Sequence, residues 1–129
     1  MRINSGIKQG LLLLLEVSGK KDPVRLCDIA KKEDLSPKTL ETIAAALSKA
    51  GILHAKKGKQ GGYLLARRPE QISLAEVFLA IEPSYFSFAQ EDERLFPFLY
   101  RYGTFERSYL NQIRLADITP SFAEDDYVI

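Results

Sequence analysis

At 129 residues, 46% hydrophobic and 27% charged, the chain has the make-up of one ordinary soluble domain, and no apolar run approaches the roughly 20 residues that span a bilayer. One cysteine excludes an internal disulfide and fits a reducing cytoplasm. The net charge of +1 hides a segregation: residues 1–70 hold 14 Lys/Arg against 7 Asp/Glu, and residues 71–129 hold 4 against 10, the pattern of a polyanion-binding head and a differently employed tail.

Residues 5–18 place Ile7, Leu11, Leu14 and Leu15, with Leu12 available beside them, on one broad helical face. The run "GLLLLLEV" is interrupted by Glu16 and lacks a small-x-small cleavage site, so it reads as a buried helix and not as a signal peptide. Gly19 and Pro23 then break the chain. Leu26, Ile29 and Ala30 give a short second helix over 25–33, begun by Arg25 where a capping side chain is favoured. The clearest helix runs from Ser36 to Ala50. Ser36 is an N-cap, Pro37 suits the first helical position, Leu40, Ile43, Ala44, Leu47 and Ala50 form the apolar stripe, and Gly51 ends it.

Two short runs, Ile52–Lys56 and Gly62–Ala66, flank a turn rich in Gly, Lys and Gln and predict a β-hairpin. Ser73 with Glu76 forms the signature of a capping box, and Ile72 with Val77 that of a hydrophobic staple, ahead of a helix burying Leu74, Val77, Phe78 and Ile81. Residues 84–104 predict one or two irregular helical pieces broken at Pro97 and Gly103. Residues 105–117 predict a helix with Phe105, Tyr109, Ile113 and Ala116 on one face, and residues 118–129 an exposed tail. No Phe or Tyr precedes Tyr63, so the front half has an aliphatic core and the back half builds a core or an interface from rings.

Three helices followed by a two-stranded hairpin is the order of a winged helix-turn-helix, in which the amino-terminal residues of the later helix of the pair face base edges in the major groove. The corresponding candidates are Ser36, Lys38, Thr39, Glu41 and Thr42: hydroxyls for bases or phosphates, a lysine for phosphate or guanine, a carboxylate that accepts from cytosine. In the hairpin, Lys56, Lys57, Lys59 and Gln60 surround glycines that allow close backbone approach, with Arg67 and Arg68 at its base and His54 in its first strand. Neither phosphate-binding loop signature, G-x-x-x-x-G-K-[ST] or G-x-G-x-x-G, occurs, which excludes the usual nucleotide sites. One His, one Cys and no nucleophile–base spacing argue against an enzyme.

The stretches "MRINSGIKQGLLLLLEV", "LCDIAKKEDLSPKTLETIAAALSKAGIL" and "KKGKQGGYLLARRPEQISLAEVFLAIE" resemble successive segments of the Rrf-two family of bacterial winged-helix transcription regulators, from Met1 to about Glu82. The resemblance implies a homodimeric DNA-binding regulator, read here as a repressor, with base contacts carried onto Ser36, Lys38, Thr39, Glu41 and Thr42. Thr39 stands where the family usually has an aromatic, and Lys57 stands at its wing arginine, keeping charge without the bidentate fork. Cluster-binding members carry a three-cysteine loop after the "ISLAEVFLAIE" helix. This chain has no cysteine after Cys27, so no iron–sulfur cofactor, and no other, is expected. Cys27 reads as a small buried hydrophobe, with a redox-sensing thiol as the alternative, and His54 as a wing side chain rather than a metal ligand.

The expected architecture is therefore mainly α with a small β-hairpin: a winged helix-turn-helix domain over residues 1–83 and an aromatic-rich helical dimerisation or regulatory region over residues 84–129. Aromatics from Tyr85 to Phe105 suit a dimer core, with a small-molecule effector pocket as the other reading. "DDYVI" resembles the isoleucine-ended tails that dock in the active site of cysteine synthase. The alternative function is a protein-interaction module that keeps the fold and has lost DNA recognition, its tail docking into cysteine synthase.

Overall fold

The helical spacing of the first fifty residues becomes three helices. In the computed structural model, which describes residues 3–119, α1 (Ser5–Val17) starts where the Asn4 side chain accepts from the Ile7 amide at 2.9 Å. The "DDYVI" segment lies outside the described residues. α2 (Leu26–Glu33) begins at Arg25 with no side-chain cap, as expected, and ends on Asp34 in the left-handed region at φ 53°. α3 (Pro37–Lys49) has Ser36 accepting from the Thr39 amide at 3.3 Å, Pro37 in its first turn and Gly51 at φ 75° just past its end. A left-handed residue there stops the helix, and glycine takes that conformation without a Cβ penalty.

The hairpin follows as β1 (Leu53–Lys56) and β2 (Gly62–Leu65), antiparallel, with Leu53 opposite Leu65 and Lys56 opposite Gly62. Val24, just before α2, adds a bridge to its far side: the Val24 amide donates to the Tyr63 carbonyl at 3.0 Å, and the Tyr63 amide to the Val24 carbonyl at 2.9 Å. This approach requires glycine at position 62. A Cβ there would stand 2.6 Å from the Val24 carbonyl oxygen.

α4 (Leu74–Ile81) carries the complete capping box. Ser73 accepts from the Glu76 amide at 3.2 Å, and the Glu76 carboxylate accepts from the Ser73 amide at 3.0 Å. Ile72 and Val77, the staple pair, are both fully buried. Leu74, Val77 and Phe78 join the core as expected, whereas Ile81 is only partly covered. That core is shared with Ile7, Leu13, Leu14 and Val17 of α1, Ile29 of α2, Leu40, Ile43 and Leu47 of α3, and Ile52.

The buried face of α1 differs from the expected one. Leu13 and Val17 are buried with Ile7 and Leu14, while Leu11, Leu12 and Leu15 are half-covered. Five consecutive leucines contain no polar residue to set the phase of the helix. Gly10 fixes one point of it: a Cβ there would stand 2.2 Å from Ile81 Cδ1, so α1 and α4 approach closely here.

The larger correction concerns the back half. Residues 96–112 form one unbroken helix, α5 (Phe96–Gln112), not two pieces. Pro97 lies in its first turn, where a missing N–H leaves nothing unbonded and the fixed φ is already helical. Gly103 is buried mid-helix as α5 packs along α4, and that packing overrides its weak helix propensity of about 1 kcal/mol. Nor do Ile113 and Ala116 continue the face of Phe105 and Tyr109. The chain extends at Ile113, pairs Ser73 with Arg114, and turns into the four-residue α6 (Leu115–Ile118). The Leu74 amide donates to the Ile113 carbonyl at 2.9 Å and the Leu115 amide to the Ile72 carbonyl at 2.8 Å, returning Leu115 to the core, fully buried. Phe105 and Tyr109 are exposed.

Candidate nucleic-acid interface

The amino-terminal turn of α3 stands clear of the core. Leu40, Ile43, Ala44 and Leu47 point inward, and this spacing turns Ser36, Lys38, Thr39, Glu41 and Thr42 outward; all five are exposed. Their hydroxyls are not equivalent. Ser36 accepts from the Thr39 amide, which leaves its O–H free to donate to a phosphate. Thr42 donates to the Lys38 carbonyl at 3.3 Å, so its oxygen is left as an acceptor. The carboxylate of Glu41 accepts only, and the ammonium of Lys38 donates only. A shallow groove lined by Gly6, Lys38, Thr39, Thr42, Ile43 and Ile81 separates this turn from the start of α1.

The wing presents Lys56, Lys57, Lys59 and Gln60, all exposed, and His54, exposed on β1. Among the described residues none of these lysines, nor Lys38, enters an ion pair. The tip is a closed turn: the Gly61 amide donates to the Gly58 carbonyl at 3.0 Å, and Gly58 sits at φ 109°. A Cβ on Gly61 would stand 2.2 Å from the Lys56 carbonyl oxygen, so the backbone folds on itself where only glycine fits.

Arg67 does not belong to this cationic surface. Its guanidinium lies partly exposed against the protein surface, donating to the Gly51 carbonyl at 3.3 Å, the Gln71 carbonyl at 3.2 Å and Glu76 Oε1 at 2.9 Å. Burial works against ionisation of Glu76, but the Ser73 amide and the Arg67 guanidinium outweigh it and hold the carboxyl below its usual range. Sequence gives a partial signal for this role, since Arg67 lies nine residues before the capping-box glutamate. Arg68 is exposed.

Two residues are placed otherwise than the sequence suggests. Cys27 is exposed on α2, its Sγ 3.9 Å from Asp28 Oδ1, and is not a buried hydrophobe. Leu26 and Ile29 take the inward positions of this helix, which turns position 27 to solvent. Arg25, unnoticed in the sequence except as a poor cap, donates from Nη2 to the Lys59 carbonyl across to the wing.

The aromatic back half divides into two sets. Tyr85 is buried edge-on between Phe78, at 5.1 Å, and Phe86, at 4.9 Å, and burial first, then the Glu106 carboxylate, pushes its phenol well above the usual value. Phe86, Phe88, Tyr100, Gly103, Thr104 and Arg107 line a cavity of about 150 Å³, with the Arg107 guanidinium 5.7 Å from the Phe86 ring centre. On the outer side of α5, Phe98, Tyr102, Phe105 and Tyr109, preceded by Leu95, are exposed large side chains at alternating spacings of three and four residues. That is the spacing of a helix seam.

With the geometry in place, comparison with known proteins is informative. The Rrf2 family model, described as an iron-dependent transcriptional regulator, matches residues 3–98. The protein rrf2 of Nitratidesulfovibrio vulgaris is 34% identical over 84 residues, covering 64% of this chain and 56% of that relative; the chain thus spans little more than half of that protein's length. The structure of T. potens IscR superposes with a TM-score of 0.76 at 28% identity, covering all of this chain and 93% of that one. CymR of B. subtilis shares the fold, with a TM-score of 0.77 at 24% identity over 95% of this chain and 99% of that one.

The residues present do not fit the iron that the family description names. An iron–sulfur cluster takes about four ligands, typically thiolates. This sequence has one thiol, on the exposed face of α2, and one imidazole, on β1. Among the described residues no group of three His, Cys, Asp or Glu side chains gathers as a metal site. The membership itself rests on the match over residues 3–98 and on the shared winged fold: the chain belongs to the Rrf2 family of transcriptional regulators.

Proposed function

We propose that the chain is a sequence-specific DNA-binding transcriptional regulator, a repressor, that works as a cytoplasmic homodimer. α3 enters the major groove through Ser36, Lys38, Thr39, Glu41 and Thr42, and the wing over residues 52–66 lies on the backbone or in the minor groove through Lys56, Lys57, Lys59 and Gln60. The observation that carries this reading is the sequence of two exposed, polar elements, the capped amino-terminal turn of α3 and a glycine-closed wing, whose lysines are free of ion pairs among the described residues. Residues 1–83 supply DNA contact, and residues 84–129 supply dimerisation through the outer aromatic face of α5. No helix among the described residues is long and apolar enough to cross a membrane.

Selection of bound duplexes from fragmented genomic DNA, with and without a metabolite panel, tests this directly. We expect enrichment of a two-fold symmetric site whose half-sites are about one helical turn apart. Thr39→Ala and Glu41→Ala shift base preference at one position per half-site by about 1–3 kcal/mol and leave the salt dependence unchanged. No enrichment at low salt ends the DNA reading and favours the interaction-module alternative. A metabolite that releases the duplex would identify an effector, and the cavity beneath Phe86 and Phe88 is where its contacts would be sought first.

A protein partner is also proposed, cysteine synthase, on the strength of the "DDYVI" segment alone. Full-length chain is expected to retain the enzyme in a pull-down, and removal of residues 125–129 to abolish retention; no retention by the full-length chain rules the partner out.

A further inference from the structure

We propose that Arg25 is a positioning residue that sets DNA affinity without touching DNA, by holding the wing tip against the start of α2. The inference rests on the DNA-binding reading above. The wing is anchored to residue 24 by two backbone hydrogen bonds, Val24 with Tyr63 at 3.0 and 2.9 Å, but these lie at the strand and not at the tip. Beyond them the chain runs through Lys57, Gly58, Lys59, Gln60 and Gly61, with glycine at two of the five positions. Glycine-rich turns lose more backbone freedom on ordering than any others. A tip free to sample conformations would have to be ordered when it docks, and that cost would be subtracted from affinity.

One side chain opposes this. Arg25 Nη2 donates to the carbonyl of Lys59, one of the two residues between the tip glycines. A further observation makes the contact a dedicated one. Asp22 and Asp28 line the same cleft, together with Lys20, Gln60 and Gly61, yet among the described residues neither is in an ion pair with Arg25. The guanidinium is directed to the wing backbone in preference to nearby carboxylates. Holding the Lys59 carbonyl fixes the path of the backbone on either side of it, and so where the side chains of Lys57 and Lys59 emerge.

The test combines hydrogen exchange on the free protein with duplex titrations over a salt series, for wild type, R25A, R25K and both Arg25 variants in a K57A/K59A background. In R25A the Gly61 amide is expected to exchange roughly tenfold faster while α3 amides keep their protection, and duplex affinity to fall roughly tenfold with the salt slope unchanged, the scale of one charged hydrogen bond. In the K57A/K59A background, where the tip has no lysines left to place, R25A is expected to change affinity less than about twofold. A loss that persists in that background, with a salt slope smaller by about 0.9 per protomer, means that Arg25 itself meets phosphate and overturns the proposal. So does full recovery of affinity in R25K without recovery of Gly61 protection, because charge alone would then suffice. Wild-type binding with unchanged R25A sinks this inference alone, whereas a wild type that binds no duplex sinks the DNA reading and this one with it.

Discussion

Replacing Lys57 and Lys59 together with alanine is expected to weaken binding to every duplex, cognate or not, and to flatten the salt dependence. Each phosphate neutralised contributes about 0.9 to the slope of log K against log salt, so two lysines contribute about 1.8 per protomer and about 3.6 for a dimer with both wings docked. At 0.1 M salt a slope of 1.8 corresponds to roughly 60-fold in affinity per protomer. The fold should not notice, because both side chains are exposed and unpaired among the described residues, and the Lys59 carbonyl that accepts from Arg25 survives the substitution. Fluorescence anisotropy from 50 to 300 mM salt, beside a thermal melt, reads both quantities. An unchanged slope would mean that the wing does not lie on the backbone. A change near 1.8 instead of 3.6 would mean that one wing docks, or that the protein binds as a monomer.

An effect of comparable size is expected from Phe98→Glu combined with Phe105→Glu on α5. In the single chain Phe98 is 63% exposed and Phe105 73% exposed, so glutamate at these positions costs the monomer little. Large aromatic side chains repeated with the alternating spacing of a helix seam are instead suited to meeting their own copy across a two-fold axis. The four aromatics of α5 and the preceding Leu95, from each of two chains, would cover on the order of 1,000 Å² of side-chain surface, enough for a specific interface. Four carboxylates at that axis, each taken out of water without a partner, would abolish it. The variant is expected to sediment as a folded monomer. Its affinity for a two-half-site operator should fall roughly 10²- to 10⁴-fold, since the second half-site would no longer be bound at high effective concentration. A variant that remains dimeric locates the interface elsewhere; a monomeric variant with unchanged operator affinity removes dimerisation from the mechanism.

Where local chemistry decided the structure, it was legible. Ser36, Pro37 and Gly51 bounded α3 to within a residue, and Ser73 with Glu76 marked the start of α4, because caps are satisfied within a few residues of themselves. The glycines of the wing were readable for the same reason. What could not be read was decided by distant partners. Gly103 looks like a break until α4 is laid beside it, and Ile113 looks helical until the Leu74 amide claims its carbonyl. The orientation of Cys27 depended on which face of α2 reached the core. Arg67 and Arg68 are adjacent arginines that sequence cannot separate, yet one is bonded against the protein surface and the other is exposed. The candidate interface was legible as a list of exposed polar residues on two elements, but Arg25 was not, because its role depends on a residue 34 positions away.

The bonding of Arg67 against the protein surface has a mechanical consequence. One guanidinium ties together the carbonyl just beyond α3, the carbonyl of Gln71 and the glutamate that caps α4, immediately after the second strand of the wing. Through Ser73 the same knot reaches the Ile113–Leu115 return at the end of α5. The end of α3, the root of the wing, the start of α4 and the end of α5 therefore share a single fastening. In the homodimer proposed above, a signal reaching α5 would move α3 and the wing root together and change the spacing and angle between two such heads, much as a pair of callipers changes its span while its points keep their shape.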